Sequence, residues 1–298
     1  MVRLAVPATT ANLGPGYDCL GLALNLFNYL ELEPADSWEL VIRGEGAETL
    51  PRDKTNLVWR SMERLWQEVG ASAPEVKITM ENGIPLGRGL GSSAAAIVGG
   101  LSLANHWAGN PLGQGELLQL AAELEGHPDN VAPALLGGLC VSVMEAGRAV
   151  ALNLNLPQHL SLVACIPDFS LSTQAARAVL PETVPHGDAV FNLSRTALLL
   201  AALARDRLDL VELACQDRLH QDHRKKLIPG FDAVVAAALE AGALACTLSG
   251  AGPTMLAFVS ADTDGGEVGR AMAAAFGSRG VAARSVILNP DLQGVRPI

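Results

Sequence analysis

Residues Pro85–Ala96 read PLGRGLGSSAAA: three glycines at alternate positions, Gly87, Gly89 and Gly91, then two serines and a run of alanines. Glycine tolerates positive φ and lets backbone N–H groups approach a ligand with no Cβ in the way. The spacing downstream predicts a helix over Ser92–Trp107, with serine at its start and an almost wholly apolar, buried body. The first turn of a helix carries N–H groups without intrahelical partners and the positive end of the dipole, and both favour a phosphate. Small residues from Ser92 to Ala96 keep that turn low enough for a triphosphate to lie over it. The stretch reads as an anion cradle.

Two other glycine-rich phosphate motifs fit less well. GRGLGS resembles G-x-G-x-x-G, but Ser92 stands where the third glycine belongs. That fingerprint also needs an acidic residue at a strand end ~20 positions on, where this chain has NPLGQGEL, a loop entering a helix. A G-x-x-x-x-G-K-[ST] loop is excluded, because no lysine follows any glycine.

Outward from the cradle, Val76–Met80 reads as the strand leading into it. Val2, Leu4 and Val6 alternate as in a half-buried strand, followed by an expected loop over Pro7–Asp18. Strands are predicted at Leu20–Leu32 and Trp38–Ile42, and a helix at Thr55–Val69. Beyond the cradle come a helix at Glu116–Leu124, the polar EGHPDN, a short helix near Val131–Leu136, and a hairpin of Leu139–Met144 with Ala149–Leu154. Pro157 breaks the pattern and sets an expected division into domains 1–156 and 157–298. The second half predicts strands at Leu160–Ile166, Ala245–Leu248, Thr254–Val259 and Ala282–Ile287. Its helices are expected at Thr173–Leu180, Ala189–Ala204, Leu208–Leu219, Phe231–Ala241 and Glu267–Phe276. Strands and helices that mix without strict alternation indicate α+β in both halves.

The 298 residues are 49% hydrophobic and 17% charged, enough for a sizeable core. A net charge of -10 argues against a general nucleic-acid binder, which needs a basic face. It leaves room for an anionic ligand, which asks only for local N–H donors and cations. No run reaches the ~18 uninterrupted apolar residues of a membrane span, and the start MVRLAVPATT lacks a signal-peptide pattern. No membrane association is expected. Cys19, Cys140, Cys165, Cys215 and Cys246 are scattered without a Cys-x-x-Cys pair, as in the reduced core of a cytoplasmic protein.

PLGRGLGSSAA at Pro85–Ala95 resembles the P-x-x-x-G-L-G-S-S-A-A motif of the GHMP kinases. PATTANLGPGYD (Pro7–Asp18), HPDNVAPALLGG (His127–Gly138), HQDHRKKLIPG (His220–Gly230) and SGAGPT (Ser249–Thr254) are similar to the homoserine-kinase form of that family. The resemblance implies an N-terminal domain like ribosomal protein S5 domain 2, a ferredoxin-like C-terminal domain, and an active site in the cleft between them. It implies transfer of phosphate from ATP to L-homoserine in cytoplasmic threonine biosynthesis, with Mg²⁺. A homodimer is the expectation for an oligomer of unstated type.

Roles follow from the same resemblance. Pro85, Gly87, Arg88, Gly89, Leu90, Gly91, Ser92, Ser93 and Ala94 would hold ATP, and Asn56 would contact adenine, with a helix N-cap as its alternative role. Glu123 is the expected metal ligand together with a hydroxyl of the Ser92–Ser93 pair, Ser92 being the first choice; Glu125 is its competitor. Arg177 and Arg224 would clamp the substrate carboxylate, because guanidinium forks match two oxygens. An isolated arginine is ordinarily a solvated helix charge, and only the motif context reverses that reading. Asp18 would accept the ammonium group, and Asn12 the ammonium or the hydroxyl. His127, Asn130, Thr173 and Arg177 would surround the reacting hydroxyl. Asn130 is an amide and cannot take a proton, so catalysis by positioning and charge stabilisation is expected. Asp129 is adjacent but need not face the same cavity. Rival readings are another kinase branch, such as mevalonate or 4-diphosphocytidyl-methylerythritol kinase, a catalytically silent relative, and, more distantly, a dehydrogenase.

Overall fold

Two antiparallel strands, β1 (Val2–Asn12) and β2 (Gly16–Pro34), form the spine of the first sheet, in register from Val2↔Leu32 to Asn12↔Gly16. The structure is a computed structural model and describes every residue except Asn155 and Gln158. The loop expected over Pro7–Asp18 is mostly strand: only Leu13–Pro15 turn between β1 and β2. Pro7 sits at a register shift between Pro7 and Ala8, where a strand tolerates a residue without an N–H. The threonines that suggested a loop are β-branched and suit the pleat.

The chain continues through β3 (Glu39–Gly44), α1 (Leu57–Glu68), β4 (Val76–Asn82), α2 (Ser92–Trp107), α3 (Gln114–Glu125), α4 (Pro128–Leu136), β5 (Leu139–Glu145) and β6 (Arg148–Leu154). β4 pairs with β2 and, in parallel, with β3; β5 pairs with β2 and β6. Helix α2 lies buried against β1, α1, α3 and α4, which explains its apolar body.

The second sheet begins with β7 (Ser161–Pro167), followed by α5 (Thr173–Ala178), α6 (His186–Ala204), α7 (Val211–Ala214), α8 (Gln221–Arg224), α9 (Phe231–Glu240), β8 (Ala245–Leu248), β9 (Met255–Val259), α10 (Gly265–Gly277) and β10 (Ala283–Leu288). Its order is β10-β7-β9-β8, antiparallel throughout. With helices between its first and second and its third and fourth strands, this is the split β-α-β arrangement of ferredoxin-like folds. Both domains are α+β. Helix α6 is 19 residues long and apolar enough, by length and composition alone, to cross a membrane, although Asp188 and Arg195 lie within it.

Two further expectations are corrected. Leu208–Leu219 is not one helix but a short 3₁₀ turn, α7, and then a turn around Asp217. The Asp217 carboxylate accepts the N–H groups of Leu219, His220 and Gln221, a local alternative that draws the backbone out of a helix. The second domain also does not run to the C-terminus. After β10 the chain returns to the first sheet, where β11 (Arg296–Pro297) pairs with β1 and Pro290 bridges to Leu24.

Candidate active site

The glycine loop is held from behind. Its carbonyls are occupied: Gly87 O by the Leu171 N–H at 3.1 Å, Arg88 O by Thr254 N–H at 3.2 Å, Gly89 O by the Ser249 hydroxyl at 2.6 Å, and Leu90 O by Thr9 N–H at 3.1 Å. Its donors are free. The backbone N–H groups from Gly87 through Ala94 have no acceptor among the described residues. Gly91 caps α2 with φ 69° and offers no side-chain cap. A Cβ on Gly91 would overlap the Thr9 hydroxyl, and one on Gly89 would overlap the Ser249 carbonyl, so both positions need glycine for space as well as for φ. The segment SGAGPT thus braces the loop that PLGRGLGSS forms.

On one side, Gly87, Ser92 and Ser93 open onto a cavity of about 340 Å³ lined mainly by Leu50, Pro51, Leu57, Met80 and Leu86. Asn56 lies in its wall as the N-cap of α1: its Oδ1 accepts Val58 N–H and its Nδ2 donates to Pro51 O. On the other side, the loop forms one wall of a polar cleft of about 130 Å³. That cleft also holds Asn12, Asp18, Glu125, His127, Asp129, Asn130, Thr173, Arg177 and Arg224. Leu90, Pro85 and Arg88 line the loop's edge of it, where Arg88 reaches Asp168 at 3.6 Å.

The far wall comes from both domains. Arg177, on α5, donates from Nη1 and Nη2 to the two oxygens of Asp18, each at 2.9 Å, and from Nη1 to the Tyr17 hydroxyl. Burial opposes its charge, but the bonds to Asp18 outweigh that and hold its pKa above the ordinary value. Arg224, only 2% exposed, donates from Nε to Ala176 O, and from Nη1 to Gly250 O and His220 Nδ1. Burial pulls its pKa down, since no carboxylate touches it. Asn12 spends its amide on backbone: Nδ2 donates to Gly250 O and Oδ1 accepts Asp18 N–H, so it fastens the cleft wall.

At the mouth of α4, His127 Nδ1 bonds Asp129, which also accepts from Asn130 Nδ2; Asn130 Oδ1 accepts from the Thr9 hydroxyl. The bond to Asp129 raises the pKa of His127, against the opposing effect of burial. Asp129 therefore does face the cleft. Its position at the buried start of α4 turns its side chain toward His127.

Glu123 is the clear correction. It is exposed on the outer face of α3, paired with Arg64 at 3.2 Å and bonded by Gln119, away from the loop. Glu125 instead lines the cleft, where the Ser93 hydroxyl donates to it at 2.8 Å. Two residues on a helix are rotated by ~200°, so only one of the pair can face the loop. Burial pushes the Glu125 carboxyl above its usual range. A hard cation finds oxygen donors here, one carboxylate and one hydroxyl beside a free anion site. Tyr17 and His220, which abut the arginines, carry no signal in the sequence beyond their places in PGYD and HQDHR.

Residues 56–138 match the GHMP kinases N terminal domain and residues 199–278 the GHMP kinases C terminal family. The chain is 46% identical over 298 residues to a homoserine kinase of Desulfitobacterium hafniense, covering 100% of both. It is 52% identical over 281 residues to one of Moorella thermoacetica, covering 94% of each. A solved homoserine kinase of Cytophaga hutchinsonii superposes with a TM-score of 0.90 at 32% identity, over 100% of this chain and 97% of that one. A mevalonate kinase, at 12% identity and a TM-score of 0.74 over 98% of this chain and all of its own, shares the fold. Because full-length similarity coincides with a glycine loop facing an acidic, arginine-lined cleft, the chain belongs to the homoserine kinase branch of the GHMP kinase family.

Proposed function

We infer that the protein transfers the terminal phosphoryl group of ATP to the side-chain hydroxyl of L-homoserine, giving O-phospho-L-homoserine for threonine biosynthesis. One observation carries this reading: free N–H donors at Gly87–Ala94 share a cleft with Asp18, Arg177 and Arg224. The donors suit a polyphosphate and the charged trio suits a small zwitterion.

In this reading adenosine occupies the apolar cavity beside Asn56, and the phosphates lie over the start of α2. Glu125 with a hydroxyl of the Ser92–Ser93 pair would hold Mg²⁺, which when bound neutralises phosphate charge. Arg177 and Arg224 take the carboxylate, and Asp18 takes the ammonium group. Thr173, His127 and Asn130 then border the acceptor hydroxyl. Phosphoryl transfer leaves the protein mainly positioning and charge stabilisation to supply. Asp129 is already the acceptor for His127 and Asn130, which supports late loss of the hydroxyl proton to phosphate or solvent. A cytoplasmic location and a homodimer belong to the same proposal.

The test is ADP release from ATP with a panel of alcohols: homoserine, mevalonate and 4-diphosphocytidyl-methylerythritol. Turnover of homoserine above the others is expected. No turnover of homoserine overturns the substrate, and ATP binding without ADP formation overturns the enzyme.

A further inference from the structure

Arg224 is a buried cation with no anion in contact. Of the five N–H donors of a guanidinium, three are used, toward Ala176 O, Gly250 O and His220 Nδ1. The Nη2 donors have no partner among the described residues, and the side chain lines the cleft. Its direction therefore depends on three neutral acceptors, two of them backbone carbonyls and the third a side chain, His220.

His220 is itself fully enclosed. Its Nε2 lies 2.7 Å from Gly14 O, a pure acceptor, so Nε2 carries the proton. Nδ1 is then bare and faces Arg224 Nη1 at 3.3 Å. The backbone of His220 is pinned as well, because Asp217 accepts its N–H at 3.0 Å and takes further bonds from Leu219, Gln221 and Asn192. Against this ring stacks Tyr17, with centroids 5.2 Å apart. The Tyr17 face stands 5.2 Å from the Arg224 guanidinium carbon and 5.8 Å from that of Arg177. An aromatic face attracts each of these cations.

We propose that His220 is a positioning residue for the acceptor site, its bare Nδ1 aiming the Arg224 guanidinium at the substrate carboxylate while the Tyr17 ring packs against both His220 and the two guanidiniums. The proposal rests on the reading of the cleft as a site for an amino-acid carboxylate. A histidine locked in one tautomer is a rigid acceptor, whereas a water in its place would let the guanidinium swing. A misdirected guanidinium weakens carboxylate binding and leaves the nucleotide side untouched.

Two substitutions separate the two ring nitrogens. His220→Asn keeps an acceptor near Nδ1, and His220→Gln keeps a donor near Nε2 but loses the acceptor toward Arg224. With L-homoserine and ATP, His220→Gln should raise the homoserine KM by about tenfold or more, the scale of one lost bond to a charged group. The ATP KM and kcat should stay within about threefold, and His220→Asn should lie near the unsubstituted protein. Equal effects of the two substitutions, or a matching rise in the ATP KM, overturn the proposal. Two measurements need no turnover. Histidine ring ¹⁵N spectra of the unsubstituted protein should show His220 as the neutral Nε2–H tautomer, and an Nδ1–H tautomer overturns it. A crystal structure of the His220→Gln protein should show the Arg224 guanidinium displaced from Gly250 O; an unmoved guanidinium overturns it. Failure of the unsubstituted protein to turn over homoserine would count against the proposed function alone.

Discussion

Arg177 grips Asp18 with both ends of its guanidinium, Nη1 and Nη2 each 2.9 Å from a separate carboxylate oxygen. The two residues come from different domains, α5 and the start of β2, and line one cleft. A zwitterion can exchange into this pair charge for charge, its carboxylate toward Arg177 and its ammonium toward Asp18. A singly charged analogue would leave one partner uncompensated.

Asp18→Asn should therefore raise the homoserine KM by about a hundredfold, the lower range for removing one partner of a paired charge. Arg177→Lys should not rescue, since an ammonium cannot make the two-pronged contact. Steady-state kinetics with homoserine and its N-acetyl and carboxamide forms measures this. A homoserine KM unchanged in Asp18→Asn would remove Asp18 from the acceptor site.

Glu125→Gln should lower kcat by about a hundredfold or more, as loss of a metal-holding carboxylate does, and should raise the Mg²⁺ concentration needed for half-activity. Glu123→Gln should fall within about twofold of the unsubstituted enzyme, since its partner is an exposed Arg64 ion pair. A magnesium titration at saturating ATP compares the two. The opposite order of effects would restore Glu123 to the site.

Gly91→Ala places a methyl group on the Thr9 hydroxyl at a φ of 69°. It should cost about 1–3 kcal/mol of stability, the scale of a strained left-handed residue, and raise the ATP KM more than the homoserine KM. Urea unfolding and paired KM measurements check both, and an unperturbed ATP KM would argue that the loop does not hold the phosphates.

Two histidines should give opposite pH dependences. The pKa of His127 is raised in the folded chain, chiefly by its bond to Asp129, so its stabilisation is complete below about 6.5, the ordinary value. That contribution is lost as pH rises through the raised value. The pKa of His220 is depressed by burial, so its contribution is present above about 6.5 and lost as pH falls toward the depressed value. Urea unfolding from pH 5 to 8 should show His127→Gln flattening the alkaline loss and His220→Asn flattening the acid loss. Asp129→Asn should lower the His127 pKa in ring NMR titration, with kcat reduced less than about a thousandfold. A larger fall would indicate a general base.

Much of this protein is local, and the local part is legible. The cradle PLGRGLGSSAAA announces itself because φ > 0, small side chains and an uncapped helix start are properties of consecutive residues. Helix α2 spans Ser92–Trp107 as its composition predicts, and most strands fall within a few residues of their expected bounds. Pro7–Asn12 misled because its proline and asparagine are turn formers locally, while pairing with β2 makes the segment a strand. Leu208–Leu219 misled because its apolar spacing carries no sign of the grip that Asp217 takes on three N–H groups.

By itself, then, the sequence determined the anion loop, the α+β class and the kinase family, because each is written in contiguous residues or in ordered motifs. Only the tertiary structure decided which glutamate faces the loop, that Asp129 turns into the cleft, and that His220 and Tyr17 stand behind the arginines. It also brought the last residues back to β1. Those outcomes depend on helix rotation and on contacts between residues far apart in sequence, such as Ser249 with Thr10 and Pro297 with Leu4. A helical period states that two side chains point different ways; packing alone decides which of them meets the ligand.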